Sequence, residues 1–221
     1  MEAIGGSLGR AIGEAFAASE EFYDEAAVAR EAALDAARHR RACLDEAAPD
    51  ITAEDFARLV RDVADPSMAL RTVRKWWEKV HDPAGGFPFR VLVLVGGTGC
   101  GKTVAGSWAL ARERGRCVTV ERLLLIARSR SPLHLAEIDA VARAKLLLLD
   151  EAGAEHDPIA ARAVVLELLN RRQRGQLTIL TSNLDEPGFR SWLDERALSR
   201  VMQIGKIVTC TGPDLRLVSS R

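Results

Sequence analysis

Two hydrophobic rhythms divide this chain. From about Leu8 to Ala48 apolar positions are sparse, and Ala, Glu and Arg fill the spaces between Phe16, Phe22, Tyr23, Val28 and Leu34. Such residues lose little conformational freedom in a helix, so the stretch predicts one long helix or a helical pair, closed by Pro49-Asp50. The apolar stripe is too thin for a core of its own, and the arm is expected to pack on another surface. Thr52-Ala-Glu-Asp55 matches a capping box ahead of Phe56, Leu59, Val60 and Val63 at helical spacing. Asp65-Pro66 reads as an N-cap followed by proline at the first helical position, opening a further helix through Val80. His81 to Gly86 is then a loop.

From Phe89 onward the rhythm changes to short apolar runs alternating with helical stretches. Candidate strands are Arg90–Val95, Cys117–Val120, Lys145–Leu149, Leu177–Leu180 and Lys206–Cys210. Val91–Val95 and Leu146–Leu149 are unbroken apolar runs, as strands covered on both faces require. The expected fold class is α/β: a three-layer arrangement in which helices cover a parallel five-stranded sheet. The expected organisation is an α-helical N-terminal region over residues 1–65, serving to bind a partner, and an α/β domain over 66–221.

Composition changes this picture little. The chain has 221 residues and a formal net charge of zero, so bulk charge points to no nucleic-acid partner. Met1 to Ala48 nonetheless carries about twice as many acids as arginines, which leaves the rest mildly basic. The four cysteines, Cys43, Cys100, Cys117 and Cys210, form no C-x-x-C pair and have no histidine at metal-ligand spacing. That disfavours zinc and fits a reducing, cytoplasmic setting. No signal peptide is legible after Met1-Glu2, and no apolar run is long enough to span a bilayer.

The chemistry concentrates after the first strand. Gly96-Gly97-Thr98-Gly99-Cys100-Gly101-Lys102-Thr103 matches G-x-x-x-x-G-K-[ST] between a buried strand and a helical stretch. Its glycines let backbone N–H groups curl around phosphate oxygens, and the following helix adds its positive dipole end. In this P-loop reading Lys102 reaches the β- and γ-phosphates of ATP, and the Thr103 hydroxyl takes a Mg2+ position. Leu146-Leu-Leu-Leu-Asp150-Glu151 supplies the second element: Asp150 as the opposing metal ligand, and Glu151 as the base that orients and deprotonates a water. The acid pair favours hydrolysis, although these two elements alone also suit a small-molecule kinase. Thr181-Ser-Asn183 ends a further apolar run, where Asn183 could hold the attacking water or simply make a turn.

The order of these elements from about Ala69 to Arg216 resembles the AAA+ ATPases of the bacterial helicase-loader type, the DnaC family, and the related IstB transposition ATPases. The matching pieces are Gly96–Thr103, Leu146 to Glu155, Leu166 to Arg172, Thr178 to Leu184, Asp194-Glu-Arg-Ala-Leu-Ser-Arg200 and Gly212 to Arg216. The P-loop is generic; Gly-Ala-Glu155 after the acids and Thr-Ser-Asn-Leu before the arginine box are more specific. The resemblance implies that Asn183 is the sensor 1 residue, Arg200 the arginine finger, with Arg196 competing for that role, and Arg216 the sensor 2 arginine. It also implies a self-oligomer, because a finger acting in trans completes a neighbour's site. Loaders often carry two aspartates where this chain has Asp150-Glu151. No loader-like zinc ligands occur before residue 65.

The function so implied is an ATP-dependent replication factor that loads or remodels a replicative DNA helicase, with hydrolysis switching an oligomer on single-stranded DNA. The alternatives are an IstB-like transposition ATPase that binds duplex DNA and recruits a transposase, and an ATP-binding adaptor with little hydrolysis. For DNA contact the sequence offers Arg71, Arg74, Lys75 and Lys79 around Trp76 and Trp77. Against stacking on bases, Leu70, Val73, Trp77 and Val80 fall on one helical face, which predicts a core role.

Overall fold

A computed structural model describes residues 67–85, 89–113, 115–129, 131–173 and 175–215, together with a few single positions between 29 and 54. The chain divides into two compact units, Met1–Arg38 and His39–Arg221. In the first, the described positions Ala29, Arg30, Glu31, Leu34, Asp35 and Arg38 are helical and exposed. The capping box at Thr52, the Asp65-Pro66 pair and the expected boundary at residue 65 lie outside the described residues, as does Arg216.

Among its described residues the second unit has five strands: β1 (Val91–Val95), β2 (Gly115–Thr119), β3 (Leu146–Ala152), β4 (Leu177–Ser182) and β5 (Gly205–Thr209). They form one sheet in the order β2-β3-β4-β1-β5, and every pairing is parallel. The helices are α1 (Met68–Val80), α2 (Lys102–Leu110), α3 (Val120–Ser129), α4 (Pro132–Arg143), α5 (Pro158–Arg171) and α6 (Glu186–Ile204). The five expected strands are all present, each shifted by no more than a few residues.

Sheet position explains the sequence of each strand. The central strands β1 and β4 are buried at every residue, whereas the edge strands expose Arg116 and Lys206. Successive side chains point to opposite faces. Val91, Val93, Val95, Leu147, Leu149 and Leu180 face the core shared with α3, α5 and α6. Leu92, Leu94, Leu146, Leu148 and Ile179 face a second core beneath α1 and α2. The continuous apolar runs thus serve two cores at once, giving the three layers.

Helix α1 corrects two local expectations. Its N-cap is Ser67, whose hydroxyl accepts the Leu70 N–H at 3.2 Å, so the helix opens after Asp65-Pro66 rather than at it. Its buried face is Ala69, Leu70, Val73 and Trp76, with Trp77 and Val80 packed at the margin. The Trp76 indole N–H donates to the Phe89 carbonyl at 3.0 Å, as a buried indole requires. Trp77 stacks on His81 and meets the edge of Trp108. Trp76 is thus a core residue, whereas Trp77 is half-buried at the edge of that core.

Candidate functional site

The carboxyl ends of β1, β4 and β3 lie side by side, and three of the predicted motifs emerge there. Ligands of open parallel sheets bind at such ends because helix N-termini and free loop backbone converge on them. The P-loop leaves β1 at Gly96, where the backbone is bracketed by both neighbouring connections. The Gly96 N–H donates to the Leu184 carbonyl at 2.9 Å, and Cys210 N–H donates to the Val95 carbonyl at 2.7 Å. A Cβ at Gly96 would stand 2.2 Å from the Cys210 carbonyl oxygen, and φ there is +134°. Only glycine fits. We expect Gly96→Ala to lower stability by about 2 kcal/mol and weaken nucleotide affinity roughly tenfold, read by thermal melting and by titration with a fluorescent ATP analogue. An alanine variant that binds normally would sink this account of the loop.

Gly99 and Gly101 continue the curl at φ +76° and +87°, and helix α2 begins at Lys102. The chain after β5 closes over this loop. Leu215 N–H donates to the Gly99 carbonyl at 3.0 Å, and the Asp214 carboxyl packs so tightly on Gly99 that a Cβ would fall 1.9 Å from it. Arg216 follows directly on Leu215 but lies outside the described residues. The Lys102 ammonium is buried inside the loop, donating to the carbonyls of Gly96 and Gly97 at 2.7 Å each. A glycine loop of this curvature, a helix N-terminus and an enclosed lysine are the parts a triphosphate needs.

Asp150 stands across from the loop. The Thr103 hydroxyl donates to its two carboxylate oxygens at 3.2 and 3.0 Å, so the two predicted metal donors are already in contact. Asp150 is 2% exposed, and burial pushes its carboxyl above the ordinary aspartate value, opposed by the hydroxyls of Thr181 and Thr103. A hydroxyl and a buried carboxylate sharing one hydrogen bond form an oxygen donor set suited to Mg2+ beside a phosphate chain. Glu151 is exposed, and its backbone is left-handed at φ +62°.

Beyond the acids the chain turns sharply. Both carboxylate oxygens of Glu155 accept the Gly153 N–H, at 2.9 and 3.0 Å, which ties Gly153 to Glu155 across the turn. Burial raises the Glu155 pKa, opposed by that amide hydrogen bond. Asn183 follows β4 and is exposed between the acid strand and the P-loop strand. Geometry therefore gathers Gly96–Thr103, Asp150, Glu151 and Asn183 at one end of the sheet.

The arginines are placed differently. Helix α6 breaks at Asp194, whose φ of +54° is non-helical, and restarts with the Asp194 carboxylate accepting the Ala197 N–H at 2.9 Å. Arg162 holds Asp194 through an ion pair at 3.1 Å and also donates to the Trp192 carbonyl. The restarted half carries Arg196, exposed, and Arg200, half-buried and bonded to Gln203 at 2.8 Å. Among the described residues no hydrogen bond or ion pair joins either arginine to the P-loop of its own chain.

Sequence reasoning did not find Thr181, whose hydroxyl touches both Asp150 and Glu151, nor Asp214 on Gly99. A threonine inside an apolar strand carries no signal beyond β-propensity. Asp214 became legible only through the glycine it covers.

Several solved structures share this fold. The structure titled "Crystal Structure of the DnaI" is similar to this chain at a TM-score of 0.54, with 23% identity over 75% of this chain and 95% of that one. A DnaC helicase loader aligns at a TM-score of 0.53, with 17% identity over 72% of this chain and all of that one. A putative primosome component from Streptococcus pyogenes aligns at 0.52, with 20% identity over 74% of this chain and 91% of that one. At such identities these neighbours show the fold alone. Among curated protein sequences none matches. The family described as IstB-like ATP binding protein matches residues 89–218, from the first strand through the P-loop, the acid pair and the arginine box. That span is more than half of the chain, which therefore belongs to the IstB-like ATP-binding proteins.

Proposed function

We propose that this chain hydrolyses ATP and uses the hydrolysis to switch an oligomer that loads or remodels a replicative DNA helicase on single-stranded DNA. The observation that carries the hydrolytic reading is Glu151, an exposed acid directly after Asp150, whose carboxylate meets the P-loop hydroxyl of Thr103. Thr103 and Asp150 would hold Mg2+, which supplies charge neutralisation along the triphosphate. The P-loop amides and Lys102 hold the phosphate oxygens. Glu151 takes a proton from the attacking water, and Asn183 orients that water. Arg200 of a neighbouring subunit, or Arg196, would stabilise charge on the transferring phosphoryl group, and Arg216 would do so from within the chain.

The loader reading draws on the DnaI and DnaC structures to which the domain is similar. Residues 1–65 are then the arm that grips the helicase. Arg71, Lys75 and Lys79 recur every fourth residue along α1 and are exposed, a stripe that suits phosphate contacts. The second reading, a transposition ATPase on duplex DNA, is favoured by the IstB family match itself.

ATP turnover measured alone, with single-stranded DNA, with duplex DNA and with the host's replicative helicase separates these readings. Stimulation by single strands and a nucleotide-dependent helicase complex is the expected result. Preferential stimulation by duplex without helicase binding would establish the transposition reading instead. Tight ATP binding without turnover in any mixture would leave only an adaptor.

A further inference from the structure

Strands β3 and β4 do not pair evenly along their length. The ladder runs in register as far as Leu149 opposite Leu180, then shifts, and resumes with Ala152 opposite Ser182. Asp150 and Glu151 are therefore set against the single residue Thr181, which is the arrangement of a β-bulge. Bulges re-aim side chains and leave a backbone group without its ladder partner. Here the group is the Glu151 N–H, on a residue whose φ of +62° is uncommon for anything but glycine.

One side chain closes this gap. The Thr181 hydroxyl oxygen accepts the Glu151 N–H at 3.2 Å. The same hydroxyl donates its proton to Asp150 Oδ1. Thr181 and Asp150 are each 2% exposed, so the bond between them is shielded from water. Next along the strand, the Ser182 hydroxyl donates to the Ala152 carbonyl and accepts the Leu184 N–H, tying the far side of the bulge to the P-loop connection. The β-branched side chain of threonine restricts χ1, so the hydroxyl is held in this double role with little rotational freedom.

We infer that Thr181 is the positioning residue of the acid pair: it fixes the Glu151 backbone in its left-handed turn and aims the Asp150 carboxylate at Thr103. This rests on the reading of Glu151 as the hydrolytic base. Thr181 itself touches neither nucleotide nor water in this role. It acts through the two acids.

The test compares full-length Thr181→Val, which keeps shape and removes the hydroxyl, with Thr181→Ser, which keeps the hydroxyl. At saturating ATP and Mg2+ the valine variant should lose roughly 30-fold in kcat, with serine restoring the rate to within about threefold, because two hydrogen bonds are lost together. Affinity for a fluorescent ATP analogue without metal should stay within about twofold, since the P-loop is untouched. Hydrogen exchange supplies a readout independent of turnover: the Glu151 amide should exchange about tenfold faster or more in the valine variant, while Leu148 and Leu180 keep their rates. Unchanged exchange at Glu151 overturns the inference. Glu151→Gln run in parallel keeps two failures apart. Turnover that survives Glu151→Gln overturns the hydrolytic reading, whereas turnover lost there and kept in Thr181→Val overturns the role of Thr181 alone. Should the valine variant not fold, Thr181→Cys retains the volume with a weak donor, and wild-type turnover in it overturns the inference equally.

Discussion

Glu151→Gln is expected to lower ATP turnover by roughly 100- to 10,000-fold while leaving nucleotide affinity within about threefold. Glutamine keeps the length and the planar head group of glutamate, but it cannot act as a base. The phosphate-binding parts are separate from it. Lys102 is held by the loop carbonyls, and Thr103 is held by Asp150. Removing the base should therefore split kcat from binding, which is the signature of a group needed for the chemical step. A variant of this kind should also hold ATP long enough for any ATP-dependent oligomer to be seen by light scattering. Turnover retained within a few-fold of wild type would remove Glu151 from the mechanism.

The legible parts of this molecule were those with local requirements. A phosphate loop needs glycine at positive φ, and Gly96, Gly99 and Gly101 all adopt it, so the motif states its own geometry. Strands buried on both faces need unbroken apolar runs, and the Leu146–Leu149 run led directly to the acids at its end. What stayed hidden depended on partners distant in sequence. The apolar run predicts a strand ending at Leu149; the bulge admits Asp150 and Glu151 within β3 by borrowing the hydroxyl of Thr181, thirty-one residues beyond Asp150. On α1 the helical period gave the correct stripe but ranked Trp77 inside. Ala69 and Trp76 take the deeper positions, because a small alanine lets the helix approach the sheet on that side. The role of Arg172 was equally opaque, since an arginine ending a helix reads as a solvated one.

Arg172 is instead 3% exposed at the end of the sheet away from the P-loop, just after α5. Its Nε donates to the Thr178 hydroxyl at 2.9 Å, Nη1 to the carbonyls of Val141 and Ala142 at 3.1 Å each, and Nη2 to the Leu177 carbonyl at 2.6 Å. One guanidinium thereby joins the end of α4, the end of α5 and the start of β4, while Arg90 donates to the Arg172 carbonyl at 2.7 Å. Burial pushes the Arg172 pKa down to about 10, with the nearby Arg90 charge adding to the effect, so it remains a cation at neutral pH. A buried ion pair can often be exchanged for apolar residues because both partners leave together. Here the acceptors are mostly backbone carbonyls and stay behind, unpaired, when the side chain is shortened. Arg172→Leu is accordingly expected to cost about 3–5 kcal/mol of stability, a fall in Tm on the order of 10 °C for a domain of this size. Arg172→Lys should recover less than about half of that, because a single ammonium cannot span acceptors arranged around a planar fork. A melting temperature for Arg172→Leu within about 2 °C of wild type would show that the four bonds contribute little net stability, and that packing of α4, α5 and β4 alone holds this end of the sheet.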